Sequence, residues 1–224
     1  MSRNLFTGNV YVADRLVVPK TAGKAILVDL DTPTPGWADM LGQVHVRAPG
    51  ANDPTLAVYQ GAIRQFSFSN AITNEIFNEF HVPHDYLSGT DVFIHVHWSQ
   101  IVVDTGGPAG VPGTVKWSFD VSYAKGHQQA PFSLPFTTFV TQPASAVQFQ
   151  HQLVEIQLSA LAPTPTQLDT ALLEPDGIIL VRTWRDAADP ADTLNQVPFM
   201  HYLDLHYQTT GITGTKQKAP NFYV

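Results

Sequence analysis

Apolar and polar residues alternate along several segments of the chain, which is the period-two pattern of β-strands. In segment 115–123, Val, Trp, Phe, Val and Tyr occupy the odd positions, and Lys, Ser, Asp and Ser occupy the even ones. Successive side chains of a strand point to opposite faces, so this pattern predicts a strand with one buried face. In segment 91–98, three aliphatic residues and a Trp share one face, whereas a Phe and two His share the other.

Other segments have weaker versions of the same pattern. Segment 199–207 has apolar or aromatic residues on both faces, which predicts an inner strand. Segment 147–158 alternates with glutamines, but its phase changes at Leu153-Val154, which predicts a β-bulge or a switch between sheets there. Five further segments are strand candidates: 57–60, 63–68, 76–82, 136–141 and 178–185.

Glycine and proline separate these segments, and helical patterns are sparse. Short helices are expected only near 36–41 and 166–173. Many short strands joined by Gly- and Pro-rich turns predict an all-β fold, an antiparallel jelly-roll or β-sandwich.

The two ends of the chain differ from its middle. Residues 1–56 hold short apolar runs separated by prolines, and residues 208–224 are rich in Gly, Thr and Lys before ending near Phe222 and Tyr223. We therefore expect extended N- and C-terminal arms around a jelly-roll β-sandwich at 57–207. The alternative is that both ends are edge strands and frayed termini.

The charge content excludes one class of partner. Asp, Glu, Lys and Arg make up only 14% of the chain, against about 25% in ordinary globular proteins. The net charge is −7, and between Arg64 and Arg182 the basic residues are Lys116 and Lys125 alone. Nucleic-acid binding depends on neutralised phosphates, so no nucleic-acid partner is expected.

Low charge combined with 13 Phe, 7 Tyr and 4 Trp instead favours a surface covered by neighbouring subunits. No apolar run approaches the ~18 residues of a membrane span, so no membrane partner is expected. The N-terminus lacks the apolar stretch of a signal peptide, which predicts a chain that is not secreted by that route. The chain has no cysteine, which excludes disulfides and thiolate metal sites.

His95 and His97 form the most suggestive pair for chemistry. Residues i and i+2 of a strand share a face, so both imidazoles can point at one ion. The surrounding sequence loosely resembles the metal-binding motif of cupins, but residues 98–103 lack the Glu that continues that motif. A third ligand would have to come from elsewhere, with His206, His201 and His84 as candidates. We therefore favour a hydrogen-bonded pair with no metal and no cofactor, and keep a His95, His97 and His206 site as the alternative.

Other catalytic signatures are missing from the sequence. No serine lies in a Gly-x-Ser-x-Gly turn, and no Gly-rich phosphate loop follows a strand. Glu75 and Glu79 share a strand face but do not form a convincing carboxylate pair for glycoside hydrolysis. We expect a protein that is not an enzyme and has no catalytic residues.

Arg182, Arg185 and Asp186 begin the densest charge cluster, which continues to Asp189 and Asp192. Arginine forks suit bidentate pairing with carboxylates. We expect a structural or interface role, in which the cluster locks a loop or bridges two subunits.

Three segments together resemble a family of tailed-bacteriophage virion proteins. The first is His81–Asp91, HVPHDYLSGTD, which runs into His95–Trp98, HVHW. The second is Arg182–Ala188, RTWRDAA, followed by Asp192-Thr193, and the third is Leu203–Gln208, LDLHYQ. They occur in the family's order.

The resemblance implies a structural virion protein, and some similar proteins are capsid cement or decoration proteins. Those are jelly-roll homotrimers on the capsid exterior, whose extended arms grip the major capsid protein. The resemblance carries no catalytic residues. Three alternatives stay open: a phage neck or tail component, a glycan-binding virion component, and a metal-dependent cupin-like enzyme using His95 and His97.

Overall fold

The computed structural model describes residues 15–17, 27–29, 36–46, 50–105 and 111–209, and these contain strands and one short 3-10 helix. No helix in these ranges is long and apolar enough to cross a membrane. The strands are β1 Arg15–Val17, β2 Leu27–Asp29, β3 Gly36–Leu41, β4 Gln43–His45, β5 Thr55–Gln60, β6 Ile63–Ser67, β7 Asn74–His81, β8 Val92–Gln100, β9 Thr114–Ala124, β10 Phe136–Pro143, β11 Gln152–Gln157, β12 Ser159–Ala160, β13 Leu168–Asp169, β14 Ile178–Arg185 and β15 Pro198–Thr209.

Two antiparallel sheets form a jelly-roll β-sandwich, which confirms the predicted fold class. One sheet has five strands in the order β10-β9-β14-β7-β4. The other has the order β11-β8-β15-β6-β5, and β3 pairs with the second half of β15. As the sequence predicted, β15 is an inner strand.

The core lies between the two sheets and follows the alternation of β8 and β9. The aliphatic residues and Trp98 of β8 face inward and are at most 1% exposed. Trp117 of β9 is fully buried, and its ring packs in T-shaped arrangements with the rings of Phe68 and Trp98, with centroids 5.0 and 6.3 Å apart. The burial of the apolar face of β9 confirms the buried face that its alternation predicted.

The N-terminal boundary of the sandwich differs from the prediction. Gly36–Leu41 is a strand and not a helix, because its backbone pairs with β15. The chain then crosses to the other sheet, where β4 pairs with β7. Between them Gly42 passes over Phe80, where a Cβ would lie 2.6 Å from the ring.

The sandwich therefore includes residues 36–45, which the sequence assigned to the arm 1–56. Earlier in that arm β1 pairs antiparallel with β2. The rest of 1–35 and residues 210–224, with Phe222 and Tyr223, lie outside the described residues.

Two smaller expectations are corrected. In place of the helix expected at 166–173, the structure has a single 3-10 turn, Thr170–Leu172, which Asp169 caps at its N-terminus. β11 begins only at Gln152 and pairs regularly with β8, so there is no bulge at 153–154; the phase change arises because 147–151 precede the strand. Register irregularities lie instead in β15, between Met200 and Tyr202, and in β5, between Val58 and Gln60.

Candidate functional site

His95 and His97 lie on one face of β8, as their spacing predicted, and this is the outer face of the six-stranded sheet. Their strand β8 lies between β15 and β11. The register places Asp204 opposite His95 on one side and Glu155 opposite it on the other. Three strands therefore bring two imidazoles and two carboxylates together on one face.

These side chains form a continuous series of contacts, which we call the Asp204 network. Glu155 Oε2 lies 2.8 Å from His95 Nε2, and His95 Nδ1 lies 3.1 Å from Asp204 Oδ1. Asp204 Oδ2 lies 2.9 Å from His97 Nε2, and His97 Nδ1 lies 2.8 Å from His151 Nε2. Each central histidine therefore has one ring nitrogen facing Asp204 and the other facing an outer partner.

The centre of the network is buried, although it lies on the outer face of a sheet. His95 and His97 are each 7% exposed, and Asp204 is 3% exposed. Burial raises the pKa of Asp204 to about 6, and the nearby His95 only partly offsets that rise. Burial also lowers the pKa of His97 to about 4, helped by His151 and His95. At neutral pH the network thus presents a neutral His97 imidazole beside an ionised carboxylate.

Aromatic rings cover the network from outside. Tyr202 stacks on His97 with ring centroids 4.1 Å apart, and His206 stacks on His95 at 4.5 Å. Trp37 in turn stacks on His206 at 4.5 Å. These rings restrict the access of water and explain why polar side chains on an outer face are buried.

The candidate third ligands have different positions. His206 lies next to His95 and contacts Asp39 through Nδ1. His201 lies further along the sheet, 2.8 Å from Ser99 Oγ, and burial lowers its pKa. The third group that faces both histidines is Asp204, which the sequence analysis missed.

His84 belongs to a separate group, which we call the Asp176 cluster. Its Nε2 lies 2.8 Å from the Asp176 carboxylate, which also contacts His127 at 2.9 Å and His81 at 3.2 Å. The hydrogen bond from His127, followed by that from His84, lowers the pKa of Asp176 despite partial burial. His84 is therefore not a ligand candidate beside His95.

The arginine cluster serves the fold of the chain. The fully buried Arg185 donates from Nε and Nη2 to the two Asp192 carboxylate oxygens at 2.9 and 2.8 Å. It also donates from Nη1 to the carbonyls of Ser69, in the β6–β7 loop, and Gln196, in the β14–β15 loop, each at 3.0 Å. Arg185 therefore holds the β14–β15 loop in place within the chain.

The other two members of this cluster also have partners within the chain. Arg182 donates to Glu75 and Asp120 and lies over the Trp184 ring, 4.4 Å from its centroid. Asp186 accepts hydrogen bonds from Thr73 Oγ1 and the Ala188 amide. Both residues therefore help to hold β14 and the turn after it.

Asp204, Glu155 and His151 are the site residues that sequence reasoning did not find. The pattern of segment 203–208 does place Asp204 on the same strand face as His206. It does not indicate that this strand pairs with β8, since 107 residues separate His97 from Asp204.

No family model and no curated protein matches the sequence. Solved structures that resemble the fold include TmCBM61 in complex with beta-1,4-galactotriose. It shares 13% identity over 75% of this chain and 86% of that one, with a TM-score of 0.30. Another is the family 11 carbohydrate-binding module from Clostridium thermocellum in complex with a beta-1,3-1,4-mixed-linked tetrasaccharide. It shares 11% identity over 87% of this chain and 96% of that one, with a TM-score of 0.32.

Proposed function

We propose that this protein is a structural component of a phage particle, a capsid cement protein that binds the capsid exterior and is not an enzyme. In this proposal it forms a homotrimer and contacts the major capsid protein. Two features support it: the resemblance of three segments to virion proteins, and a jelly-roll sandwich of the kind that the resemblance implies.

The proposal is carried by one observation: residues of the segments that resemble virion proteins join strands together or close a loop. Asp85, from the first segment, accepts hydrogen bonds from Tyr207 and from Thr209 at 3.1 and 2.6 Å, which ties it to β15. Arg185, from the second, is buried in its loop lock with Asp192. Residues that serve packing and loop closure favour a structural protein over a catalytic one.

The edge of the six-stranded sheet supports self-association. Within the described residues, β5 pairs with β6 on one side only. Leu56 and Val58 of β5 and Ile63 at the start of the neighbouring β6 are 52, 49 and 58% exposed. An apolar sheet edge is a site where other chains pair or pack unless it is covered. In the proposed trimer, this β5 edge contacts a second copy of the chain.

Re-binding to particles that lack the protein tests the function. Purified chain should sediment with bare particles and raise their melting temperature. The Leu56→Lys, Val58→Lys double variant should lose most of this effect, because the added charges would be buried between copies. Leu134→Lys is the matched control, since Leu134 is 91% exposed away from that edge. Failure of the wild-type chain to bind would contradict the cement proposal.

Glycan binding is a second candidate, which the exposure of one tryptophan favours. Of the four tryptophans, all of them in the described part, Trp98 and Trp117 are buried, and Arg182 covers Trp184. Trp37 is 49% exposed and borders a cavity of about 380 Å³ that Phe93 and Asp91 also line. An exposed indole beside polar groups suits stacking on a sugar ring.

A glycan array tests this candidate directly. Wild-type chain should bind one class of oligosaccharide, and Trp37→Ala should abolish the signal without unfolding the sandwich. Trp184→Phe is the control, because Trp184 lies on the other sheet. An array on which the wild-type chain binds nothing would remove this candidate.

A further inference from the structure

We propose that His95, His97 and Asp204 bind one divalent transition-metal ion on the outer face of the six-stranded sheet. One ligand atom from each residue lies within 4.8 Å of the other two. Two imidazole nitrogens and a carboxylate are ligands that zinc, iron and similar ions accept, whereas calcium and magnesium prefer oxygen ligands alone. The proposal does not depend on the capsid role.

The carboxylate of Asp204 provides the first argument. Its Oδ1 is buried and lies 3.1 Å from His95 Nδ1, yet it makes no hydrogen bond. Buried carboxylate oxygens ordinarily accept a hydrogen bond, because burial without one costs the oxygen its interaction with water. An ion held between His95 and Asp204 would give this oxygen a coordination bond in place of a contact that is not a hydrogen bond.

The outer contacts of the two histidines provide the second argument. His95 Nε2 faces Glu155 at 2.8 Å, and His97 Nδ1 faces His151 at 2.8 Å. A metal-ligating histidine typically donates its second ring N–H to such a partner, which fixes the tautomer and turns the other nitrogen toward the ion. With a metal bound, His95 would coordinate through Nδ1 and His97 through Nε2. Each histidine would then be neutral, with its one proton on the outward nitrogen that faces Glu155 or His151.

The position on rigid strands provides the third argument. The three residues come from the central strands β8 and β15 and are at most 7% exposed. A second ligand set, formed by Asp39, His95 and His206, shares His95 but lies at the rim, where the Asp39 side chain is 58% exposed. We assign the ion to the buried set, because the side chains there are already held in place.

Titration of the intact, chelator-treated chain with zinc chloride tests the site. Isothermal calorimetry should show one equivalent bound, and cobalt chloride should give visible absorption bands typical of nitrogen and oxygen ligands. Asp204→Asn and His95→Gln should lose this binding. The controls His84→Gln, in the Asp176 cluster, and His206→Gln, in the rim set, should keep it.

Glu155→Gln provides a variant that does not threaten the fold, since the Glu155 side chain is 49% exposed. Removal of this outer carboxylate should weaken zinc binding about 10- to 100-fold. The proposal is wrong if the wild-type chain binds neither zinc nor cobalt. It is equally wrong if His84→Gln or His206→Gln loses the ion, or if Glu155→Gln and Asp204→Asn bind it as tightly as the wild-type chain.

Discussion

This protein has two aspartates that each lie among histidines, and the pKa values of the two carboxylates shift in opposite directions. In the Asp204 network, the pKa of the carboxylate rises to about 6. In the Asp176 cluster, the pKa of the carboxylate falls below its ordinary value. The partners are of the same chemical type, so the number of histidines does not explain the difference.

Burial explains it. The Asp204 side chain is 4% exposed, and the loss of water outweighs the attraction of His95. The Asp176 side chain is 24% exposed, and its histidines are about half exposed, so hydrogen bonds from His127 and His84 dominate. Similar side chains therefore form a buried network with perturbed protonation at one site and an ordinary surface cluster at the other.

Removal of each carboxylate should give the largest difference between the two regions. In metal-free buffer at pH 7, Asp204→Ala should cost about 3–5 kcal/mol of unfolding free energy, because it leaves two buried imidazole nitrogens without a partner, at about 1–3 kcal/mol each. Asp176→Ala should cost at most about 1 kcal/mol, as is typical of exposed ion pairs. Urea denaturation of both variants measures this, and equal losses would contradict the distinction.

The pH dependence of Asp204→Asn should show an intermediate effect. The pKa of His97 is about 4, below its ordinary value of 6.5, so His97 makes the fold less stable as the pH falls through this range. The raised pKa of Asp204 acts in the opposite direction, because the folded chain binds a proton more readily than the unfolded chain between pH 6 and 3.8. The two contributions offset each other in the wild-type chain.

Without Asp204, the contribution of His97 is no longer offset. The unfolding free energy of metal-free Asp204→Asn should therefore fall more steeply than that of the wild-type chain between pH 6.5 and 4. The added slope should be at most about 1.4 kcal/mol per pH unit for one proton. Denaturation curves at half-unit intervals measure it, and parallel profiles would show that the two groups do not compensate.

The smallest effect is expected for Asp176→Asn. A carboxylate with a lowered pKa stabilises the fold above its unfolded-state pKa, and this stabilisation is lost as the pH falls through the folded-state value. The variant should be less stable than the wild-type chain at pH 7, by less than about 1 kcal/mol, and equally stable in strong acid. A difference that persists in acid would mean that Asp176 acts through packing and not through its charge.

The sequence predicts those parts of the fold in which one strand face is purely apolar. The alternation in β9 identified Trp117 and its neighbours as core residues, and all of them are buried. The irregularity near His201 could not be predicted, because both faces of β15 are apolar or aromatic and either phase fits the pattern. The strand Gly36–Leu41 was mistaken for a helix, because its conformation depends on pairing with distant β15.

The same limit applies to the site. The spacing of His95 and His97 was sufficient to place both on one face of β8. Their partners Asp204 and Glu155 come from β15 and β11, so they became visible only once the order of strands was known. The local sequence pattern determines which side chains share a face of a strand. Which strands pair with it depends on the topology of the whole sheet.

The central proposal is that this chain works as an assembled structural protein, and the solution mass of the wild-type protein tests it most directly. Size-exclusion chromatography with light scattering should give about 74 kDa, three times the chain mass of 24.6 kDa. A single species at 24.6 kDa would contradict the proposed trimer and its contact at the β5 edge.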